Sequence, residues 1–154
     1  KAASYGSTTH VLSARNCSGI SIKDSLFNDN GCREGNLRVV SIVDSSQVLF
    51  SSCQSSCNRG NSDVKIFEFS GCKDTVVRSC FAQKNAAENA SKSLVVGFDI
   101  SNNSRGVSLE ECVASENISP DEAIGFIVWR GSERTSRSIG LVTTGRVSQP
   151  CAAR

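Results

Sequence analysis

Apolar residues recur along this chain with a period of two, in short runs closed by Gly, Ser, Asn or Asp. The runs VVSIV (39–43), KIFEF (65–69), LVVGFDI (94–100) and AIGFIVW (123–129) are rich in β-branched and aromatic residues. A period of two and this composition predict strands rather than helices. After most of these runs comes a second, shorter apolar alternation that can be laid in register from repeat to repeat. The five segments are ISIKDSLFNDN (20–30), VLFSSCQSSCN (48–58), TVVRSCFAQKN (75–85), VSLEECVASEN (107–117) and IGLVTTGRVSQ (139–149).

Their anchor position holds Ile22, Phe50, Val77, Leu109 and Leu141, spaced by 28, 27, 32 and 32 residues. Three residues later come Ser25, Cys53, Cys80, Cys112 and Thr144, and eight after the anchor come Asn30, Asn58, Asn85, Asn117 and Gln149. A period of this length marks a solenoid, in which each repeat buries its apolar face only by stacking on its neighbours. In a parallel stack one slot recurs about every 4.8 Å, so each position becomes an internal column. The Ser/Cys/Thr column fills a narrow inward slot after a bend. The Asn column fills a turn where side-chain amides can hydrogen-bond from rung to rung, as in other stacked parallel strands. Cys17 and Cys72 share a further slot five residues before the anchor, with Ser45 between them.

The pattern apolar-x-apolar-x-x-Cys-x-x-x-x-Asn resembles the coil signature of right-handed parallel β-helix, or pectin-lyase-like, proteins, and the resemblance covers roughly residues 11–149. It implies an all-β fold, a right-handed parallel β-helix (solenoid) of about five rungs. Fold alone does not carry function, and the family includes lyases, hydrolases, adhesins and structural stalks. Its hydrolases carry paired aspartates, a Gly-His-Gly and an Arg-x-Lys, and its pectate lyases a calcium-binding acidic cluster with a nearby Arg. This chain has one His, His10, and none of the three hydrolase motifs, so no catalytic residue is carried over from the resemblance.

A length of 154 residues indicates a single domain, residues 1–154. With no Met in the chain, the expectation is a processed product or a segment of a longer protein. A net charge of +2 and a pI near 8.2 fall short of the basic stripe of a nucleic-acid binder, so no nucleic-acid partner is expected. No apolar run approaches the roughly 18 residues that span a bilayer, and membrane insertion is not expected. The terminal CAAR lacks the usual last residue of a prenylation box.

Within the repeat, Glu68 and Asp99 are each the polar residue between apolar neighbours on successive rungs, in FEF and FDI. Correct register puts them about one rung apart on one outer face. Stacked carboxylates repel unless a cation or proton intervenes or they perform acid–base chemistry, and a retaining glycosidase needs carboxyl groups about 5 Å apart. Glu68 and Asp99 are therefore the catalytic candidates, against the alternative of two surface acids with Lys65 or Arg78 nearby. Trp129, Arg130 and Arg134 are the binding candidates: an aromatic ring beside guanidinium groups can stack on a sugar and pair with an acidic substituent. Cys53 and Cys57 lack a second pair to complete a zinc site, so neither metal nor cofactor is expected. Parallel inward Cβ vectors disfavour disulfides within a column. Cys32, Cys57 and Cys151 lie outside the columns and are the better candidates for oxidation. Of the Asn-x-Ser sequons at Asn16, Asn89, Asn102 and Asn117, the last should face inward and stay unglycosylated.

The function expected from these features is a non-catalytic structural or carbohydrate-binding β-helix segment of a surface or secreted protein, extracellular or at the cell surface. The alternative is a polysaccharide-active lyase or glycosidase. The expected partners are a polysaccharide, and either a further copy stacked end to end or the remainder of a longer parent.

Overall fold

The computed structural model describes residues 8–88, 93–128 and the backbone of 136–139. The chain forms a parallel β-solenoid of about four turns, and the described residues contain no helix. The first turn carries β1 (Thr8–Arg15), β2 (Ser21–Lys23) and β3 (Gly31–Cys32). The second carries β4 (Asn36–Val43), β5 (Ser46–Ser51), β6 (Gln54–Ser56) and β7 (Arg59–Gly60). The third repeats this with β8 (Val64–Ser70), β9 (Lys73–Arg78), β10 (Phe81–Gln83) and β11 (Ala86–Ala87). The fourth has β12 (Leu94–Ser101) and the long β13 (Arg105–Ser115), and β14 (Glu122–Val128) and β15 (Ser136–Ile139) begin a fifth.

The register agrees with the repeat. Ile22 pairs with Phe50, Phe50 with Val77 and Val77 with Leu109, all in parallel. The fifth repeat departs from expectation. β15 sets Arg137, not Leu141, opposite Leu109, and its register shifts between Glu110 and Cys112. Leu141 lies outside the described residues. A strand that pairs on one side only has fewer contacts to fix its register, and among the described residues β15 pairs with β13 alone.

The first sheet runs β1-β4-β8-β12-β14. Its strands bend in the middle, where two consecutive residues are both buried: Val39 and Val40, Ile66 and Phe67, Gly97 and Phe98. Phe50, Phe67, Phe69 and Phe98 are fully buried, with Phe50 edge-on to Phe67 and Phe69, and Phe67 stacked on Phe98 at 5.1 Å. Each such side chain contributes about 1.5–3 kcal/mol relative to exposure. At Gly97 any Cβ would lie 2.7 Å from the Ala114 Cβ and from the Gly125 carbonyl oxygen, so the core leaves no room for a side chain there.

Each turn rounds its corners on a residue of left-handed conformation set directly before a small or amide inward side chain. Asn16, Asp44, Gly71 and Asn103 precede Cys17, Ser45, Cys72 and Ser104. Asp24, Ser52, Ser79 and Glu111 precede Ser25, Cys53, Cys80 and Cys112, and Asp29, Cys57, Lys84 and Glu116 precede the asparagines. Such a φ costs a non-glycine residue roughly 1–2 kcal/mol, least for Asn and Asp. The hydroxyls and thiols offset part of that cost by bonding backbone carbonyls at the bend. Ser45 Oγ donates to the Val43 carbonyl at 2.8 Å, Cys80 Sγ to Arg78 at 3.3 Å and Cys112 Sγ to Val77 at 3.3 Å.

The asparagine column forms the expected ladder. The side-chain amide of Asn30 donates to Asn58 Oδ1 at 2.8 Å, that of Asn58 to Asn85 Oδ1 at 2.8 Å, and that of Asn85 to Asn117 Oδ1 at 2.9 Å. Each acceptor also takes the backbone N–H of the asparagine above, at 3.0–3.1 Å. Asn58 and Asn85 are fully buried and Asn117 is 7% exposed. Asn58→Ala leaves the backbone N–H and the side-chain amide of Asn30 without this acceptor, and each buried group so stranded costs about 1–3 kcal/mol. The expected outcome is a fall in urea-unfolding free energy of about 2–4 kcal/mol with an unchanged m-value.

Candidate functional site

The bend in the first sheet decides what its outer face presents. Because two successive residues turn inward, the outward positions on one strand are three apart, not two. The register then builds two adjacent outward columns. One runs His10, Arg38, Lys65, Val96 and Ile124, the other Ser13, Ser41, Glu68, Asp99 and Ile127. Glu68 and Asp99 are direct pairing partners on adjacent rungs, as the sequence register requires. Basic and acidic residues therefore stand side by side in the middle of the face.

Lys65 occupies the space between the two acids. Its Nζ lies 2.9 Å from Glu68 Oε1 and 2.5 Å from Asp99 Oδ2. Arg38 Nε lies 3.7 Å from Glu68 Oε1, and Ser41 Oγ donates to Glu68 Oε2 at 2.8 Å. Asp99 is only 1% exposed and the Glu68 side chain 14%, so neither is a solvated surface acid. Arg78 is not part of this group: it projects from the second sheet, where its Nε donates to Ser51 Oγ at 3.2 Å.

The electrostatics follow from that enclosure. Burial alone would raise the pKa of Glu68, but the hydrogen bond and charge of Lys65, with Ser41 and Arg38, outweigh it and hold the carboxyl below its ordinary 4.5. Burial alone would lower Lys65, but its bonds to Asp99 and Glu68 outweigh that and hold the ammonium above its ordinary 10.5. The arrangement suits charge neutralisation more than proton transfer. A glycosidase acid must keep a proton and meet the leaving oxygen of its substrate. Glu68 is held ionised, and Asp99 presents almost no surface to a substrate.

A second polar feature lies where the second sheet turns its corner. Ser51, Ser52, Arg78, Ser79, Glu110 and Glu111 line an open depression of about 550 Å³. Three successive rungs each supply the outward residue after the anchor and the left-handed corner residue that follows it. Ser79 Oγ donates to Glu111 Oε2 at 3.0 Å, tying two rungs together, and Ser108 Oγ donates to Glu110 Oε1 at 2.8 Å. Sequence reasoning did not find this groove. Its signal is the pair that follows each anchor, SS, RS and EE, at one offset in successive repeats. Arg38 and Ser41 were missed for a similar reason, although LRVVSIV places them at the offsets that Lys65 and Glu68 hold on the next rung.

Trp129, Arg130 and Arg134 lie outside the described residues. Cys53, Cys72, Cys80 and Cys112 are buried free thiols. Burial raises the pKa of Cys53 and Cys72, and a hydrogen bond with Cys112 together with burial raises that of Cys80. Cys32 is also free, and Cys57 is disulfide-bonded. Among the described residues no group of three His, Cys, Asp or Glu is placed to hold a metal ion. No known protein family, curated protein or solved structure matches the chain.

Two outcomes test the ion group. Lys65→Met removes the ammonium that joins the two buried acids, and breaking a buried pair from one side costs about 3–5 kcal/mol. Adding Asp99→Asn to Lys65→Met should recover a large part of that loss in the same urea titration. The pH dependence carries a definite sign. The lowered Glu68 contributes stability that is present above about pH 4.5 and lost as pH falls through its folded value. The raised Lys65 contributes stability that is present below about pH 10.5 and lost as pH rises through its own folded value. Unfolding free energy should therefore be level between these limits as far as this group is concerned, and Glu68→Gln should flatten the acid limb while only reducing the alkaline one, which the Lys65–Asp99 bond also supports.

Proposed function

We infer that the chain is a non-catalytic, pectin-lyase-like β-helix segment of a surface or secreted protein, a rigid scaffold that offers its outer surface to polysaccharide. One observation carries the non-catalytic part: the Lys65 ammonium sits between Glu68 and Asp99, the two carboxylates best placed by register for acid–base work. That geometry engages both of these acids internally.

The carbohydrate part is supported by the groove of Ser51, Ser52, Arg78, Ser79, Glu110 and Glu111. Hydroxyls, a guanidinium and carboxylates together offer both donors and acceptors to a polyhydroxylated chain, and their rung-by-rung repetition suits a ligand that is itself periodic. Phe81, 37% exposed, stands three residues beyond Arg78 and adds an apolar surface on the same rung.

The test is to pass neutral and uronic-acid polysaccharides over the immobilised protein, following retention and released products by mass spectrometry. The expected result is retention without products, weakened by Arg78→Ala and preserved in folded Glu68→Gln. Product release that disappears in Glu68→Gln or Asp99→Asn would make the acids catalytic and overturn this reading.

A further inference from the structure

The buried core is complete only in the middle of the solenoid. Apolar residues that pack against it yet remain half-buried are Leu12, Ala14, Ile20, Ile22, Phe27 and Cys32 at one end, and Phe126 and Val128 at the other. They belong to the first turn and the start of the last. Val11, between the pairs His10–Arg38 and Leu12–Val40, takes the slot that Val39 fills in the core below, and it is 41% exposed. Among the described residues no strand pairs with the outer edge of β1, eight residues long, or with the outer edge of β14. Among the described residues each end thus presents an unpaired strand beside an open section of core, the arrangement that invites pairing with another chain.

The two ends are also complementary. Continuing the observed register by one rung sets Ala123, Gly125, Phe126 and Val128 of one copy against Thr9, Val11, Leu12 and Ala14 of the next. Gly125, with no side chain, faces Val11, the inward residue left most exposed, and Val128 faces the small Ala14. Phe126, which already stacks on Phe98 at 4.9 Å, would cover Leu12. The contact would continue the interface that already joins β12 to β14.

We propose that the solenoid associates head to tail with further copies of itself, the outer edge of β14 in one copy pairing in parallel with the outer edge of β1 in the next. Such a contact is heterologous, so it does not close at two copies and grows as a linear stack. This inference is independent of any polysaccharide ligand.

The full chain is examined by analytical ultracentrifugation over a concentration series, with electron microscopy of the concentrated samples. The expected result is a weight-average mass that rises with concentration beyond twice the 16.4 kDa of one copy, from unbranched particles that vary in length and not in width. Val11→Lys places a charge in the open core section at a site exposed enough to tolerate it, and should remain monomeric with an unchanged circular dichroism spectrum. Thr9→Lys, on the same face and exposed, serves as the second variant should Val11→Lys fail to fold. A head-to-tail stack makes one further demand. A Lys variant retains its β14 end, so small amounts added to the unmodified chain should terminate growth and shorten the stacks. A monomer at every concentration, a fixed dimer, or stacks that both variants join without shortening them would overturn the proposal.

Discussion

Everything else in this molecule depends on how the backbone turns its corners. A parallel solenoid must change direction several times per turn within one or two residues, at the same place on every rung. It does so by putting a residue into the left-handed region immediately before a small or amide side chain that points inward. The left-handed φ is unfavourable for most of the residues that adopt it. It persists because the next side chain bonds a backbone group at the bend, and because neighbouring rungs turn in the same place and hold one another to it. A bulky residue in the small column would meet its counterparts one rung above and below. Ser, Cys and Asn therefore recur there, and the strands between the corners are free to vary.

This explains why the columns were legible in the sequence and the outer face was not. The Cys53–Cys80–Cys112 and Asn58–Asn85–Asn117 positions are constrained by sterics on both neighbouring rungs, so residue identity itself records the register. The same logic revealed the slot shared by Cys17, Ser45 and Cys72, and it reaches Ser104, which stands at the same offset, five residues before Leu109. On the outer face the constraint is weaker, since charge complementarity can be met by many residue types. The alternation predicted Glu68 and Asp99 as partners with Lys65 nearby, but it carried no sign that the bend would set outward positions three apart and so bring Arg38 beside them. The fifth repeat was misaligned because similarity to the anchor pattern was the sole guide there, and a strand paired on one side has little else to fix it.

The ion group on the first sheet is therefore better understood as part of the frame than as a reaction centre. Two acids on adjacent rungs would repel and splay the sheet. Lys65 between them, with Arg38 one rung back, turns that repulsion into attraction across three rungs. The desolvation of Asp99 makes the arrangement unforgiving: it stabilises only when complete. A face that carries such a group is committed to holding shape.

The asparagine ladder has one more property. Every asparagine-to-asparagine bond in it points the same way: the amide group of the earlier rung donates and the oxygen of the later rung accepts. Each buried amide also sends an N–H back to a carbonyl one rung earlier: Asn58 to Phe27, Asn85 to Ser55 and Asn117 to Ala82. Aligned amides polarise one another and strengthen along the row. A rung inserted in the opposite sense would set donor against donor. The solenoid can therefore lengthen in one sense only.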